Sequence, residues 1–303
     1  MKKILPVLAV FFLLAAMLAN PIVSVKAAAH GLLLWYEHIL PALLPFSILS
    51  DILIHSNACF VVSEVLYVLI HPFLPCSRQG TFPVAAGFLF GFPMGSRICA
   101  QMVCSGQLDA SEADCLFPFC NNISPIFIIS FIVHDTLGND GLLAVTLLCL
   151  YIPAWLVGYC LLRSQHASEK KIPAAGLKIN FSIIDAGIMN SFEMMCKLGG
   201  YIMLFSIITE LIQTLCPGSM AVLGLAAPLE ITNGITLLQS SALNPRMKYA
   251  GILALTAFGG LCSMAQTYSM VYPAGLSMKK YIRIRLLLAC VSGICAYLLY
   301  PFF

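Results

Sequence analysis

From Leu142 to Leu162 the chain runs without a single charged side chain, and Ile4 to Ala19, Ala250 to Ala265 and Leu286 to Phe303 do the same. A helix needs about 20 mostly apolar residues to cross the hydrocarbon core of a bilayer. Ser124 to Val133 with its flanks and Leu198 to Leu215 also qualify, and Leu32 to Leu53, Val61 to Leu74, Pro83 to Met102 and Met220 to Leu238 are apolar but interrupted by proline, glycine or polar residues. Lipid leaves no backbone group unpaired, so such runs fold as helices. The chain is 60% hydrophobic and 10% charged, where a soluble domain carries roughly 25% charged residues. The expectation is an all-α, polytopic transmembrane protein with seven to nine crossings and two broken segments.

Met1-Lys2-Lys3 ahead of an apolar run and Ala16 to Ala19 resembles a secretory signal. We read it as a retained anchor, because Ala28-Ala29-His30 leads directly into another apolar segment. Arg163, Lys170, Lys171 and Lys178 gather in the longest polar stretch, Arg163 to Asn180. Positive loops stay cytoplasmic, which places this loop and the Lys2-Lys3 end inside. The organisation expected is an anchor over 1–28, a first repeat over 29–162, a cytoplasmic linker over 163–180 and a second repeat over 181–303.

The thirteen cysteines sit singly within apolar runs, as at Cys149, Cys160, Cys196 and Cys290, without a Cys-x-x-Cys pair, and read as small hydrophobes. No Walker loop, His-Glu-x-x-His or Gly-x-Ser-x-Gly is present. Neither an enzyme nor a metal or other cofactor is expected, and a net charge of +3 leaves no footprint for nucleic acid. His30, His38, His55, His71, His134 and His166 are scattered; His38 and His55 flank a proline-broken segment, where a proton relay is the sharper reading and an interfacial histidine the plainer one.

The two halves repeat one another. Phe46-Ser47-Ile48-Leu49-Ser50-Asp51-Ile52-Leu53 matches Phe205-Ser206-Ile207-Ile208-Thr209-Glu210-Leu211-Ile212. The Gly87 to Ser96 stretch has a counterpart beginning at Gly224, and Phe119-Cys120-Asn121-Asn122-Ile123-Ser124 has one at Phe258-Gly259-Gly260-Leu261-Cys262-Ser263. With the first terminus inside, the Phe46 and Phe205 helices run in opposite senses, so the repeats are expected to be inverted. Inverted repeats with interrupted helices point to a binding site near the bilayer midplane, where unwound backbone can be satisfied by a ligand.

The first break is Gly87 to Arg97, where Pro93 and Gly95 argue against a continuous helix. Gly87, Gly91 and Gly95 also form a face on which helices can approach closely. Asp109 and Glu112 read as N-cap and N3 of a capping box. Asn121-Asn122-Ile123-Ser124-Pro125 reads as a hairpin tip re-entering the membrane; its Asn-Ile-Ser sequon is discounted because the flanks read as buried and a proline follows. In the second half the break is Leu225 to Ile235, where Glu230 has no charged neighbour within ten residues on either side. It is expected to be protonated, to face a polar cavity or to pair across the fold, with Arg97 as the candidate partner. Ser263 and Gln266, opposite the Asn-Asn tip in the repeat, complete a ring of neutral hydrogen-bonding groups. The candidate solute-binding set is Gly91, Pro93, Gly95, Asn121, Asn122, Ser124, Glu230, Thr232, Asn233, Ser263 and Gln266.

Gly91-Phe92-Pro93-Met94-Gly95, Gly106-x-Leu108-x-x-x-Glu112-Ala113 and Phe119-Cys120-Asn121-Asn122-x-Ser124-Pro125, with Leu229-Glu230-Ile231-Thr232-Asn233-Gly234 and Phe258-Gly259-Gly260-Leu261 in the second half, resemble the sporulation integral membrane protein YlbJ family. That family belongs with proteins carrying the Gate, or nucleoside recognition, domain, shared with concentrative nucleoside transporters and ferrous-iron transport proteins of the FeoB kind. The resemblance implies the inner membrane of an endospore-forming bacterium and a role in spore formation. Two functions fit: a secondary transporter or permease for a small polar solute, nucleoside-like in one version and driven by a coupling ion if uphill, or a non-transporting scaffold for spore envelope and cortex formation. Expected partners are the lipid bilayer, the solute, and other sporulation membrane proteins or further copies of the chain.

Overall fold

The prolines and glycines that interrupt the apolar runs decide where each helix stops. In the computed structural model, which describes residues 4–164, 180–216 and 220–300, every regular element is a helix. The linker apart from its two ends, and with it Lys170, Lys171 and Lys178, lies outside the described residues.

Helix α1 (Ile4–Ala19) ends at Asn20, and α2 (Pro21–Leu34) leaves it through a bend of 106°. Helix α2 passes through a π-helical turn, Trp35–Ile39, into α3 (Leu40–His55). Pro41 has no N–H to give the Glu37 carbonyl, which locally widens the helix. A second bend of 106° separates α3 from α4 (Cys59–Ile70).

Next, α5 (Thr81–Phe90) and α6 (Met94–Cys104) fold into a hairpin whose tip is Gly91 to Pro93. Gly91 holds a φ of +85°, which a side chain would disfavour. Helix α7 (Ala110–Cys120) unwinds over 121–124 and resumes as α8 (Pro125–Phe127), continuing π-helically over Ile128–Leu137. The whole forms one span of 28 residues, Ala110–Leu137. Pro125 cannot bond the Asn121 carbonyl, and Ser124 restarts the helix by accepting a hydrogen bond from the Phe127 N–H (3.3 Å). Helix α9 (Leu143–Arg163) closes the first half.

The second half repeats this order. Helix α10 (Phe181–Leu215) is 35 residues long. A short hairpin follows, α11 (Met220–Ala226) and α12 (Ile231–Ser240). Helices α13 (Pro245–Phe258) and α14 (Gly260–Val271) form one span of 30 residues, Pro245–Ala274, broken at Gly259, whose φ is +88°. Helix α15 (Met278–Leu299) ends it. Among the described residues, five helices are long and apolar enough to cross a membrane, or up to seven if each bent pair is one span. Seven is the low end of the seven to nine expected, because each bent pair joins two apolar segments that hydropathy counts separately.

The long helices of the two halves are antiparallel. Gly31 lies against Met203 and Ser206, Trp35 against Gly199, and Asp51 accepts a hydrogen bond from Asn190 Nδ2 at 3.2 Å. Residue numbers rise along one helix as they fall along the other. The hairpins sit beside the unwound spans, so that breaks and tips meet in the middle of the molecule.

Candidate functional site

A cavity of about 370 Å³ opens where the hairpin tips and the two breaks converge. The first tip contributes Gly91 and Phe92, the first break Ser124, the second hairpin Glu230 and Thr232, and the second span Gly259, Ser263 and Gln266. The α3 segment around Phe46, together with Leu198 and Ile202 of α10, forms the apolar wall. Phe46 stacks on Phe90 with centroids 4.1 Å apart. Glu37, Ser130 and Asp135, all exposed, line it as well.

Glu230 is 4% exposed and caps α12. Its Oε1 accepts from the Thr232 N–H and hydroxyl, both at 3.1 Å, and its Oε2 from the Asn233 N–H at 2.9 Å. A carboxylate at a helix N-terminus meets the unpaired N–H groups and the positive end of the dipole, which offsets part of the cost of burying Glu230. Each tip also seats on the break of its own half. In the first, Gly91 packs against Ser124; in the second, the Leu261 and Cys262 N–H groups donate to the Pro228 and Leu229 carbonyls, each at 2.8 Å.

Two buried polar clusters flank the cavity. In the first, Arg97 Nη2 donates to Asp51 Oδ1 at 3.2 Å and Nη1 donates to Ser47, while Gln101 reaches the same carboxylate. Asn190 from α10 takes Asp51 Oδ2, and His55 Nδ1 lies 3.4 Å from that oxygen. The cluster ties α3, α6 and α10 together. Breaking such a pair from one side costs about 3–5 kcal/mol.

The second cluster surrounds the first break. Asn121 Nδ2 donates to Thr267 Oγ1 and Tyr281 Oη, both at 3.0 Å, so α7, α14 and α15 meet at one amide. Asn122 Oδ1 accepts from Arg285 Nη1 at 3.0 Å. Arg285 is 1% exposed, and its guanidinium lies over the Phe92 ring at 4.8 Å. Phe92 thus stands between this arginine and the cavity. The Tyr281 ring lies on the guanidinium too, at 6.0 Å; taking a cation out of water costs several kcal/mol, more than one neutral hydrogen bond and these two cation–π contacts return.

No family model matches the chain, and no solved structure does. It is similar to the sporulation integral membrane protein YlbJ of Bacillus subtilis (strain 168), 25% identical over an alignment 328 positions long that covers 95% of this chain and 80% of the relative. The motif resemblance is supported along almost the whole length, and the chain is a multi-pass integral membrane protein.

The cavity gathers Gly91, Ser124, Glu230, Thr232, Ser263 and Gln266. Pro93 completes the first tip and accepts from the Arg97 N–H at 3.0 Å. A Cβ on Gly95 would meet the Cys120 carbonyl oxygen at 2.8 Å, and one on Gly87 would meet it at 2.0 Å. These two glycines therefore pack the hairpin onto α7, as the small-residue reading expects. Asn121 and Asn122 turn toward α14 and α15, and Asn233 Nδ2 donates to Ser206 at 3.4 Å.

Three expectations are corrected. Arg97 pairs with Asp51, not Glu230, because α6 runs from the tip along α3. Residues 121–124 are an unwound stretch within a span, and the hairpin tips are 91–93 and 227–230. Glu112 does not close a capping box: Asp109 caps α7 by accepting from Ser111 N–H, but Glu112 is buried and accepts from Ser77 N–H at 2.7 Å. Sequence reasoning missed Arg285. It lies seven residues past the start of α15, about 10 Å into the helix, where reach to the helix end is poor; counting that depth is the signal that exposes it.

Proposed function

We propose that this chain is a non-enzymatic secondary transporter or permease for a small polar solute, acting in spore formation, as the name of its relative suggests. The observation that carries the reading is the cavity of about 370 Å³ bounded by both hairpin tips and both breaks. Mid-membrane backbone that is not helical is tolerated where it is buried in protein or lines a cavity, and pseudo-symmetric transporters bind at such a junction. The antiparallel α3 and α10, and the shared order of hairpin, unwound span and closing helix, favour inverted repeats. Glu230, Thr232, Ser263 and Gln266 would hold the solute's polar groups, and the phenylalanines its apolar face. Without an ATP-binding motif, uphill movement would draw on a coupling ion.

The test is uptake and binding in reconstituted vesicles against nucleosides, aromatic dicarboxylates, metal ions and amino acids. Saturable uptake of one class, reduced at least about tenfold in Glu230→Gln at an unchanged membrane level, supports the reading. If no class binds and Glu230→Gln complements sporulation like the unaltered chain, the transporter reading is withdrawn in favour of a scaffold.

A further inference from the structure

Arg285 leaves two of its donors unused. Nη1 donates to Asn122, but Nε and Nη2 have no hydrogen-bond partner although both atoms are buried. No carboxylate forms an ion pair with it among the described residues; Asp51, the acid that pairs with the other buried arginine, is taken by Arg97. A guanidinium keeps its charge under all ordinary conditions, and protein interiors rarely leave such donors empty.

Beside it lies a second, small cavity, lined by Asn122, Ile123, Leu150, Tyr151, Thr256, Ala257, Arg285 and Leu288. Its volume is about 10 Å³, close to what one water-sized body needs. The other polar groups on its wall are already engaged as donors. Asn122 Nδ2 donates to the Phe119 carbonyl at 2.6 Å, Tyr151 Oη to Ile123 at 3.0 Å, and Thr256 Oγ1 to Ile252 at 2.7 Å. The unused donors on this wall belong to a buried cation that forms no ion pair among the described residues, so an acceptor carrying negative charge answers both the empty donors and the uncompensated charge.

We propose that this cavity binds one small monovalent inorganic anion, a halide in the simplest case, held by Arg285 Nε and Nη2. The site is separate from the solute cavity and does not depend on transport. Its role is positional: the anion neutralises Arg285, whose Nη1 fixes Asn122 and thereby the unwound stretch 121–124, on which the first hairpin tip rests. A chloride is somewhat larger than a water molecule, and the aliphatic Leu150 and Leu288 on the wall can yield by the small distance required.

Two measurements on the full-length protein in detergent test this. First, the thermal midpoint is followed while chloride or bromide replaces gluconate at constant ionic strength. A saturable rise is expected with either halide, weakened about tenfold or more in Arg285→Gln. Second, crystals of the unaltered protein grown in bromide should show one anomalous peak beside Arg285. This arm stands even if Arg285→Gln fails to fold. A midpoint that ignores halide, or density for a single water with no anomalous signal, overturns the proposal.

Discussion

Adding one methyl group to Gly87 tests the docking of the first hairpin on α7, and adding one to Gly234 tests how tightly the second hairpin closes on its own tip. A Cβ at Gly87 would lie 2.0 Å from the Cys120 carbonyl oxygen, and one at Gly234 would lie 2.1 Å from the Ala227 carbonyl oxygen. Real contacts of this kind begin near 3.0 Å, so the backbones must part by about 1 Å in each case. The obstructing atoms are main chain at a break or tip, and rotating a side chain cannot relieve them. Overpacking costs typically about 1–3 kcal/mol, occasionally more. Against this, alanine gains about 0.8–1 kcal/mol over glycine in a helix. Gly200 and Gly224 are the internal controls, since a Cβ there meets nothing within 4 Å. Gly200→Ala and Gly224→Ala should hold or raise the melting temperature of the purified protein, while Gly87→Ala and Gly234→Ala should lower it, all measured by loss of monodispersity on heating in detergent. If the four variants shift together, the close approach of tips and breaks is not what stabilises this fold.

Asp51→Ala strands Arg97 in a buried site and should destabilise by about 3–5 kcal/mol, whereas Asp51→Leu with Arg97→Met should recover much of that loss; thermal melting of the two variants side by side is the check. Asn244→Ala removes an exposed cap, the acceptor of the Met247 N–H, worth about 1 kcal/mol and should be mild. Glu112→Ala leaves the buried Ser77 N–H without its acceptor, at a cost of about 1–3 kcal/mol, so it should melt clearly below Asn244→Ala; equal midpoints would refute the buried contact.

Helix positions were largely legible because lipid imposes one rule on every span. Run length, proline and glycine locate most boundaries, and the matched blocks at Phe46 and Phe205 fall on the antiparallel α3 and α10. Connectivity in space was less legible. Asn121-Asn122-Ile123-Ser124-Pro125 looks like a tip because polar residues and proline favour turns; only the packing of Asn121 against α14 and α15 keeps the chain going forward across the break. Arg97 looked free to reach Glu230 because both lacked charged neighbours in sequence. The partner it takes, Asp51, lies 46 residues away in the chain, and periodicity carries no information on that pairing.

The two breaks also show why the repeat is clearer in the order of elements than in residues. Each leaves backbone groups that must be paired inside a membrane. At 121–124 side chains supply the partners: Asn122 donates to the Phe119 carbonyl and Tyr151 to the Ile123 carbonyl. At 259–262 the neighbouring hairpin supplies them through the Pro228 and Leu229 carbonyls. One solution requires polar side chains at the break, and the other requires glycines that let two backbones touch. Asn-Asn and Gly-Gly are thus different answers to the same physical demand. The second tip is fastened to its break by hydrogen bonds, while the first rests on its own through the contact of Gly91 with Ser124 and is anchored further along α6 by Arg97. The halves share an architecture but differ in what holds each tip, so a substitution at Asn122 and one at Gly260 should disturb the cavity from opposite sides by unrelated means.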